Sequence, residues 1–123
     1  MFGQPSKVSQ TSNASCRVLW RSVGVRIAFV NLGGGSPCDP ALTKAQVVRV
    51  FDPRWRTGRG LSIGNGLRRL RRLYPGATRH GKSLWLVRAV NIFVGGSPYP
   101  VLRATMRNGR VASFALDVGA GGE

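Results

Sequence analysis

Residues 58–76 constrain the fold most, because they carry the clearest helix signal of the sequence. Leu67, Leu70, Leu73 and Tyr74 recur at spacings of three and four and form one apolar stripe. Asn65 is a good N-cap residue, and Pro75 followed by glycine ends the pattern. A helix of about two and a half turns is marginal alone. We therefore expect it to pack against a sheet.

The outward positions of this helix are basic. They belong to a chain with 19 Lys+Arg, only 4 Asp+Glu and a formal net charge of +15. Such a charge attracts nucleic acid, anionic lipid or an anionic polymer of the cell envelope. The alternative is a set of solvated arginines that binds nothing. The candidate anion-binding residues are Arg68, Arg69, Arg71, Arg72, Arg79 and Lys82. Trp55 or Trp85 would have to lie nearby to stack bases, whereas strand tryptophans more often belong to the core.

Much of the remaining chain has the period-two pattern of β-strands. Apolar residues alternate over 16–20 and again over 23–29, which predicts two strands or one long strand bent near Gly24. Shorter apolar runs at 46–51 and 84–90 predict further strands, and 91–98 is ambiguous. Asn108-Gly109 predicts a tight hairpin near the C-terminus, because both positions of a type I′ turn need positive φ.

These patterns predict a single α+β domain over residues 15–118. It would contain one short helix packed on an antiparallel sheet, with the Asn-Gly hairpin at its C-terminal end. Residues 1–14 are polar and aperiodic and are expected to be a disordered lead-in, and residues 119–123 a flexible tail. The sequence contains no run of about 18 apolar residues, which a membrane-spanning helix would need. The first residues also lack the apolar core of a signal peptide.

No pattern of catalytic or metal-ligating residues emerges. The acids are scattered, and His80, the only histidine, lies in a basic stretch without a nucleophile motif. The glycines at 33–35 lead into Ser-Pro-Cys and lack the Gly-Lys-Ser/Thr of a phosphate-binding loop. We expect a protein with no catalytic residues, no metal and no cofactor.

Cys16 and Cys38 lie 22 positions apart, without the Cys-x-x-Cys or Cys/His spacing of a zinc site. Two interpretations remain open from the residues alone. In an oxidising compartment the pair can form a disulfide, and in a reducing one both can be buried thiols.

The order of motifs resembles a family of extracytoplasmic, actinobacterial-type proteins to which no function is assigned. In that family a Gly-Leu-x-x-Gly segment opens a short helix that ends in Tyr-Pro, and a terminal hairpin carries Gly-Arg-Val. The matching residues here are Cys16, Trp20, Cys38, Trp55, Thr57, Gly60, Leu61, Gly64, Leu67, Leu70, Tyr74, Pro75, Ala77, Trp85, Leu86, Val87, Leu102, Ala104, Gly109, Arg110 and Val111. More distantly, the chain is similar to envelope modules of the SmpA/OmlA and β-lactamase-inhibitor type.

The resemblance implies export from the cytoplasm, and export favours a Cys16–Cys38 disulfide. It implies no catalytic residue. The leading hypothesis is therefore a non-enzymatic, secreted or envelope-associated interaction module, whose partner is an anionic envelope polymer or a protein. The alternative hypothesis is a domain that binds nucleic acid or another polyanion through the arginine face of the helix.

Overall fold

The computed structural model describes residues 3–31, 33–39, 43–90 and 98–118. Within these ranges the chain forms one eight-stranded antiparallel sheet and one short α-helix. The prediction of an α+β fold is confirmed, with the sheet as the dominant element. Residues 91–97, where the sequence was ambiguous, and the predicted tail at 119–123 lie outside the described residues.

The sheet consists of two groups of four strands. The strands are β1 (Lys7–Gln10), β2 (Ser15–Trp20), β3 (Val25–Val30), β4 (Lys44–Val50), β5 (Thr78–His80), β6 (Ser83–Val90), β7 (Pro98–Arg107) and β8 (Arg110–Asp117). Their spatial order is β1-β2-β3-β4-β8-β7-β6-β5. The first group therefore follows chain order and the second reverses it. The two groups join where β4 pairs with β8.

The predicted disordered lead-in differs from the structure, because Lys7–Gln10 form the edge strand β1. This strand pairs with β2 from Lys7↔Leu19 to Gln10↔Cys16. The Ser6 amide extends the ladder by donating to the Leu19 carbonyl at 2.7 Å. Backbone pairing requires no apolar periodicity, and the only apolar side chain of β1, Val8, is half exposed. The hydrophobic pattern therefore had nothing to detect here.

Residues 16–29 form two strands and not one bent strand. A 3₁₀ turn at Arg21–Val23 precedes Gly24, which has a φ of +63°. This left-handed conformation lets β3 fold back along β2, so that Trp20 pairs with Val25. Asn108 and Gly109, which connect β7 to β8, also have positive φ values of 53° and 74°.

The helix α1 spans Leu67–Leu73, and Tyr74 follows it as the C-cap residue. The prediction of Asn65 as N-cap is wrong, because Gly66 occupies that position and no side chain caps it. Asn65 instead holds the preceding turn and joins it to β8. Its Oδ1 accepts from the Ser62 amide at 2.8 Å, and its carbonyl accepts from the Val111 amide at 2.8 Å. The hydrogen bonds of Asn65 to the turn and to β8 thus replace the cap that its side chain could have formed on α1.

The core lies on one face of the sheet. A row of cross-strand partners runs through it, formed by Val25, Val50, Phe114, Ala104 and Leu84. The helix segment adds Leu61, Leu70 and Tyr74, and all three belong to the same buried cluster. This packing places the leucine stripe inward, as its spacing predicts. Among the described residues, no helix has the length and apolar character needed to cross a membrane.

The disulfide is confirmed. Cys16 on β2 is bonded to Cys38, and Cys16 is almost fully buried. The bond attaches the segment at 33–39 to the apolar side of β2. Both sulfurs are therefore unavailable for metal binding.

Candidate anion-binding surfaces

The helix arginines are exposed as predicted. Arg68, Arg69, Arg71 and Arg72 occupy the solvent side of α1, opposite buried Leu70. Arg79 on β5 and Lys82 in the β5–β6 turn are also exposed, at the outer edge of the sheet. We call these six residues the helix cluster. Among the described residues, none of their side chains makes a hydrogen bond or an ion pair.

A second basic surface lies on the sheet face opposite the core. Cross-strand partners place Arg26, Arg49 and Arg103 in one row, with Ala115 between the last two. Arg17 lies on the same face of β2, opposite Ala28. We call Arg17, Arg26, Arg49 and Arg103 the sheet arginines. Since neighbouring strands lie about 4.8 Å apart, the row brings three cations within about 15 Å.

Arg49 is the fixed centre of this surface. Its Nη1 donates to Ser113 Oγ at 2.8 Å and to Thr105 Oγ1 at 3.3 Å. Burial lowers the pKa of Arg49, and the positive charges of Arg26, Arg103 and Arg17 lower it further. Arginine remains charged in proteins at physiological pH. The lowered pKa therefore reports an unfavourable environment for this cation.

The surface beside Arg26 and Arg49 is concave. A shallow cavity of about 390 Å³ is lined by Arg26 and Arg49 together with Thr105, Arg107 and Ser113. A smaller one of about 150 Å³ lies beside it and is lined by Arg17, Arg26 and Arg49. Arg26 and Arg49 thus contribute to both cavities. An anion seated there would be approached by cations from several strands.

Few carboxylates offset this charge. Of the three acids that the structure describes, Asp52 pairs with Arg54 at 3.0 Å and Asp39 lies in the segment at 33–39. Only Asp117 belongs to a strand of the sheet, where it lies opposite Val47. Its position places one carboxylate on the same face as four guanidinium groups. The described part of this face remains strongly cationic.

An aromatic pair stands at one end of the arginine row. Trp85 is the cross-strand partner of Arg103, and the His80 ring stacks on it with centroids 3.7 Å apart. The prediction that the tryptophans belong to the core holds for Trp20 on β2 and for Trp55 in the segment after β4, because both pack against the buried cluster. Trp85 does not belong to that cluster. It lies half-buried on the cationic face of the sheet.

The sheet arginines were missed as a site by the sequence patterns. Arg17, Arg26 and Arg103 alternate with apolar residues, and Arg49 lies within a short apolar run, so no local pattern marks them as a group. Their proximity depends on strand order and register. The pairing of β4 with β8 brings together Arg49 and Arg103, which are distant in sequence.

The described residues form no group of three or more His, Cys, Asp or Glu side chains that could hold a metal ion. His80 is engaged with Trp85 and with Thr78 Oγ1, which lies 3.1 Å from its Nε2. The arrangement on both basic surfaces is suited to binding anions by charge and hydrogen bonding. Comparisons of the chain with protein-family models, with curated proteins and with solved structures found no match.

Proposed function

We propose that the protein is a non-enzymatic, extracytoplasmic interaction module that binds a linear polyanion on its sheet arginines. The observation that carries the proposal is the direct pairing of Arg26 with Arg49, beside Arg17 and Arg103. Like charges directly opposite on neighbouring strands destabilise a sheet. A bound chain of phosphates, sulfates or carboxylates would relieve that repulsion and release its own counterions.

The extracytoplasmic location is supported by the Cys16–Cys38 disulfide, because such bonds persist in oxidising compartments. The family resemblance of the motifs favours the same location. An anionic polymer of the cell envelope is the partner that agrees with both the location and the net charge of +15.

The test is a binding titration with heparin, used as a soluble probe polyanion, over a range of salt concentrations. The sheet variant Arg17→Gln/Arg26→Gln/Arg103→Gln keeps the hydrogen-bonded Arg49. The matched helix variant Arg68→Gln/Arg71→Gln/Arg72→Gln removes the same number of charges. We expect at least a tenfold loss of affinity at low salt in the sheet variant and less than a threefold loss in the helix variant. In the sheet variant, the plot of the logarithm of the association constant against the logarithm of the salt concentration should become less steep. Its slope should decrease in magnitude by about one per lost contact.

The opposite ranking would assign binding to the helix cluster and contradict the role of the sheet. Equal losses in both variants would indicate attraction by net charge alone. No binding of the parent protein at low salt would overturn the polyanion proposal entirely. Circular dichroism and thermal unfolding of both variants establish that each comparison is made between folded proteins.

A second candidate partner is single-stranded nucleic acid, and the Trp85–His80 pair favours it. Aromatic rings beside a cationic groove are the usual platform for stacked bases. This candidate predicts that an oligothymidylate binds at least fivefold more tightly than an abasic oligonucleotide of equal length and charge. It also predicts that Trp85→Leu removes this difference. Equal affinities would leave the backbone charge as the sole determinant.

A further inference from the structure

The apolar face of the sheet carries a cavity that the helix does not fill. It has a volume of about 300 Å³, and its walls come from β3, β4, β7, β8 and the segment after β4. Val48, Leu102, Phe114 and Leu116 are among the apolar residues that line it. The volume falls at the lower end of the range for small-molecule sites. It lies on the face opposite the sheet arginines, so it is a separate site.

One wall of the cavity is held in place by a partly buried hydrogen bond. Trp55 Nε1 donates to the Val23 carbonyl at 2.6 Å, which fixes the indole against the 3₁₀ turn that precedes β3. The adjacent turn is also held, because the Leu61 amide donates to Thr57 Oγ1 at 3.1 Å. A cavity with such supported walls exists before a ligand arrives, which reduces the ordering cost of binding.

The lining combines apolar walls with one charged residue. Leu116 is 37% exposed, so apolar surface at this site is open to solvent. Arg56 is the charged residue among those that line the cavity, and its side chain is exposed. The carboxylate of nearby Asp52 is engaged by Arg54 at 3.0 Å. Arg56 thus brings a positive charge to the lining of an apolar site.

We propose that this cavity binds a single-chain fatty carboxylate, with the hydrocarbon against Val48, Leu102 and Leu116 and the carboxylate on Arg56. Burial of the methylene groups favours binding, and an arginine–carboxylate pair orients the head group. The volume suits one chain and not the two chains of a bilayer lipid. The proposal is independent of the polyanion site, because the two surfaces share no residue.

The test compares two amphiphiles with the same chain and opposite charge, dodecanoate and dodecyltrimethylammonium, both kept below their micellar concentrations. Isothermal titration calorimetry of the full chain should show at least tenfold tighter binding of dodecanoate. Arg56→Glu should weaken dodecanoate binding at least tenfold and bring the two affinities together or reverse their order. Arg72→Glu, on the exposed side of α1, makes the same change in net charge and should alter either affinity less than twofold.

A second variant, Leu116→Trp, adds bulk to the exposed part of the lining and should reduce the affinity for both amphiphiles at least fivefold. If that variant does not fold, Arg56→Glu still decides the matter, because the side chain of Arg56 is exposed. Equal effects of Arg56→Glu and Arg72→Glu, or no binding of dodecanoate, would overturn the proposal. Self-association that Leu116→Trp abolishes would also overturn it and assign the cavity to a second copy of the chain.

Discussion

Arg26 and Arg49 lie directly opposite each other on β3 and β4, on the sheet face away from the core. Arg49 is held by Ser113 and Thr105, so it cannot turn away without losing two hydrogen bonds. The repulsion between the two guanidinium groups is therefore retained in the folded protein. Such retention of an unfavourable pair is characteristic of functional sites, where stability is lost in favour of binding.

Replacing Arg26 with Gln should raise the free energy of unfolding in low salt by about 0.2 to 1 kcal/mol, because it removes the like-charge pair. In 1 M NaCl the gain should largely disappear, since the Debye length falls to about 3 Å. Urea unfolding at both salt concentrations measures the difference. Arg21→Gln, in the exposed 3₁₀ turn, is the matched control and should show little change. A loss of stability in the Arg26 variant at low salt would contradict the repulsion.

The local parts of the fold were predictable from sequence. The spacing of Leu67, Leu70 and Tyr74 indicates which side of α1 is buried, because three- and four-residue intervals lie within two turns of one helix. The alternation over 16–20 and 23–29 indicates which strand positions face the core. In each case the residues that determine the structure are close to one another along the chain.

The sheet arginines were not predictable as a group, since their proximity depends on pairing between distant segments. Arg26 meets Arg49 through a register that includes a bulge between Ala28 and Phe29. Arg103 lies near them only because β8 stands between β4 and β7 and pairs with both. Asn65 shows a related limit, because its side chain is suited to cap α1 but is used to hold the turn beside β8. No local pattern distinguishes these outcomes.

Gly24 is required where β2 turns into β3. A Cβ atom at this position would lie 2.3 Å from Asp52 Cβ and 2.8 Å from the Asp52 amide nitrogen, at a φ of +63°. Gly24→Ala should therefore lower the free energy of unfolding by roughly 2 to 5 kcal/mol, as backbone strain and overpacking add. Gly81→Ala is the control, with a φ of +65° and no atom within 4 Å, and should cost roughly 1 to 2 kcal/mol. If urea unfolding shows similar losses of stability in Gly24→Ala and Gly81→Ala, the backbone near Asp52 must shift to accommodate the added methyl group.

The disulfide closes a loop with a sequence separation of 22. The loop-entropy relation assigns such a bond roughly 3 to 3.5 kcal/mol of stability. Guanidinium unfolding with and without reductant should show a loss of this size in the parent protein. The Cys16→Ala/Cys38→Ala variant should be insensitive to reductant. Two free thiols in denatured, non-reduced protein would contradict the bond and remove a main support for an extracytoplasmic location.

Asp52 gives the fold a defined pH dependence. The backbone amide of Arg54 donates to its Oδ1 at 2.9 Å and the Arg54 Nε at 3.0 Å, and these bonds lower the pKa of Asp52 below its usual 3.8. Because the folded-state pKa lies below the unfolded value, the carboxylate stabilises the fold above the unfolded pKa. That contribution is lost as the pH falls through the lower, folded-state pKa.

Asp52→Asn, which preserves the shape of the side chain beside Gly24, should therefore be less stable than the parent at pH 7. The difference in the free energy of unfolding between the two proteins should disappear as the pH is lowered below 3.8. Urea unfolding across this range measures the gap, and the carboxyl carbon resonance of Asp52 reports its pKa directly. Arg54→Gln retains the backbone donor and loses the guanidinium, so it should reduce the pKa shift without abolishing it. A gap that stays constant or widens in acid would show that this carboxylate does not stabilise the turn.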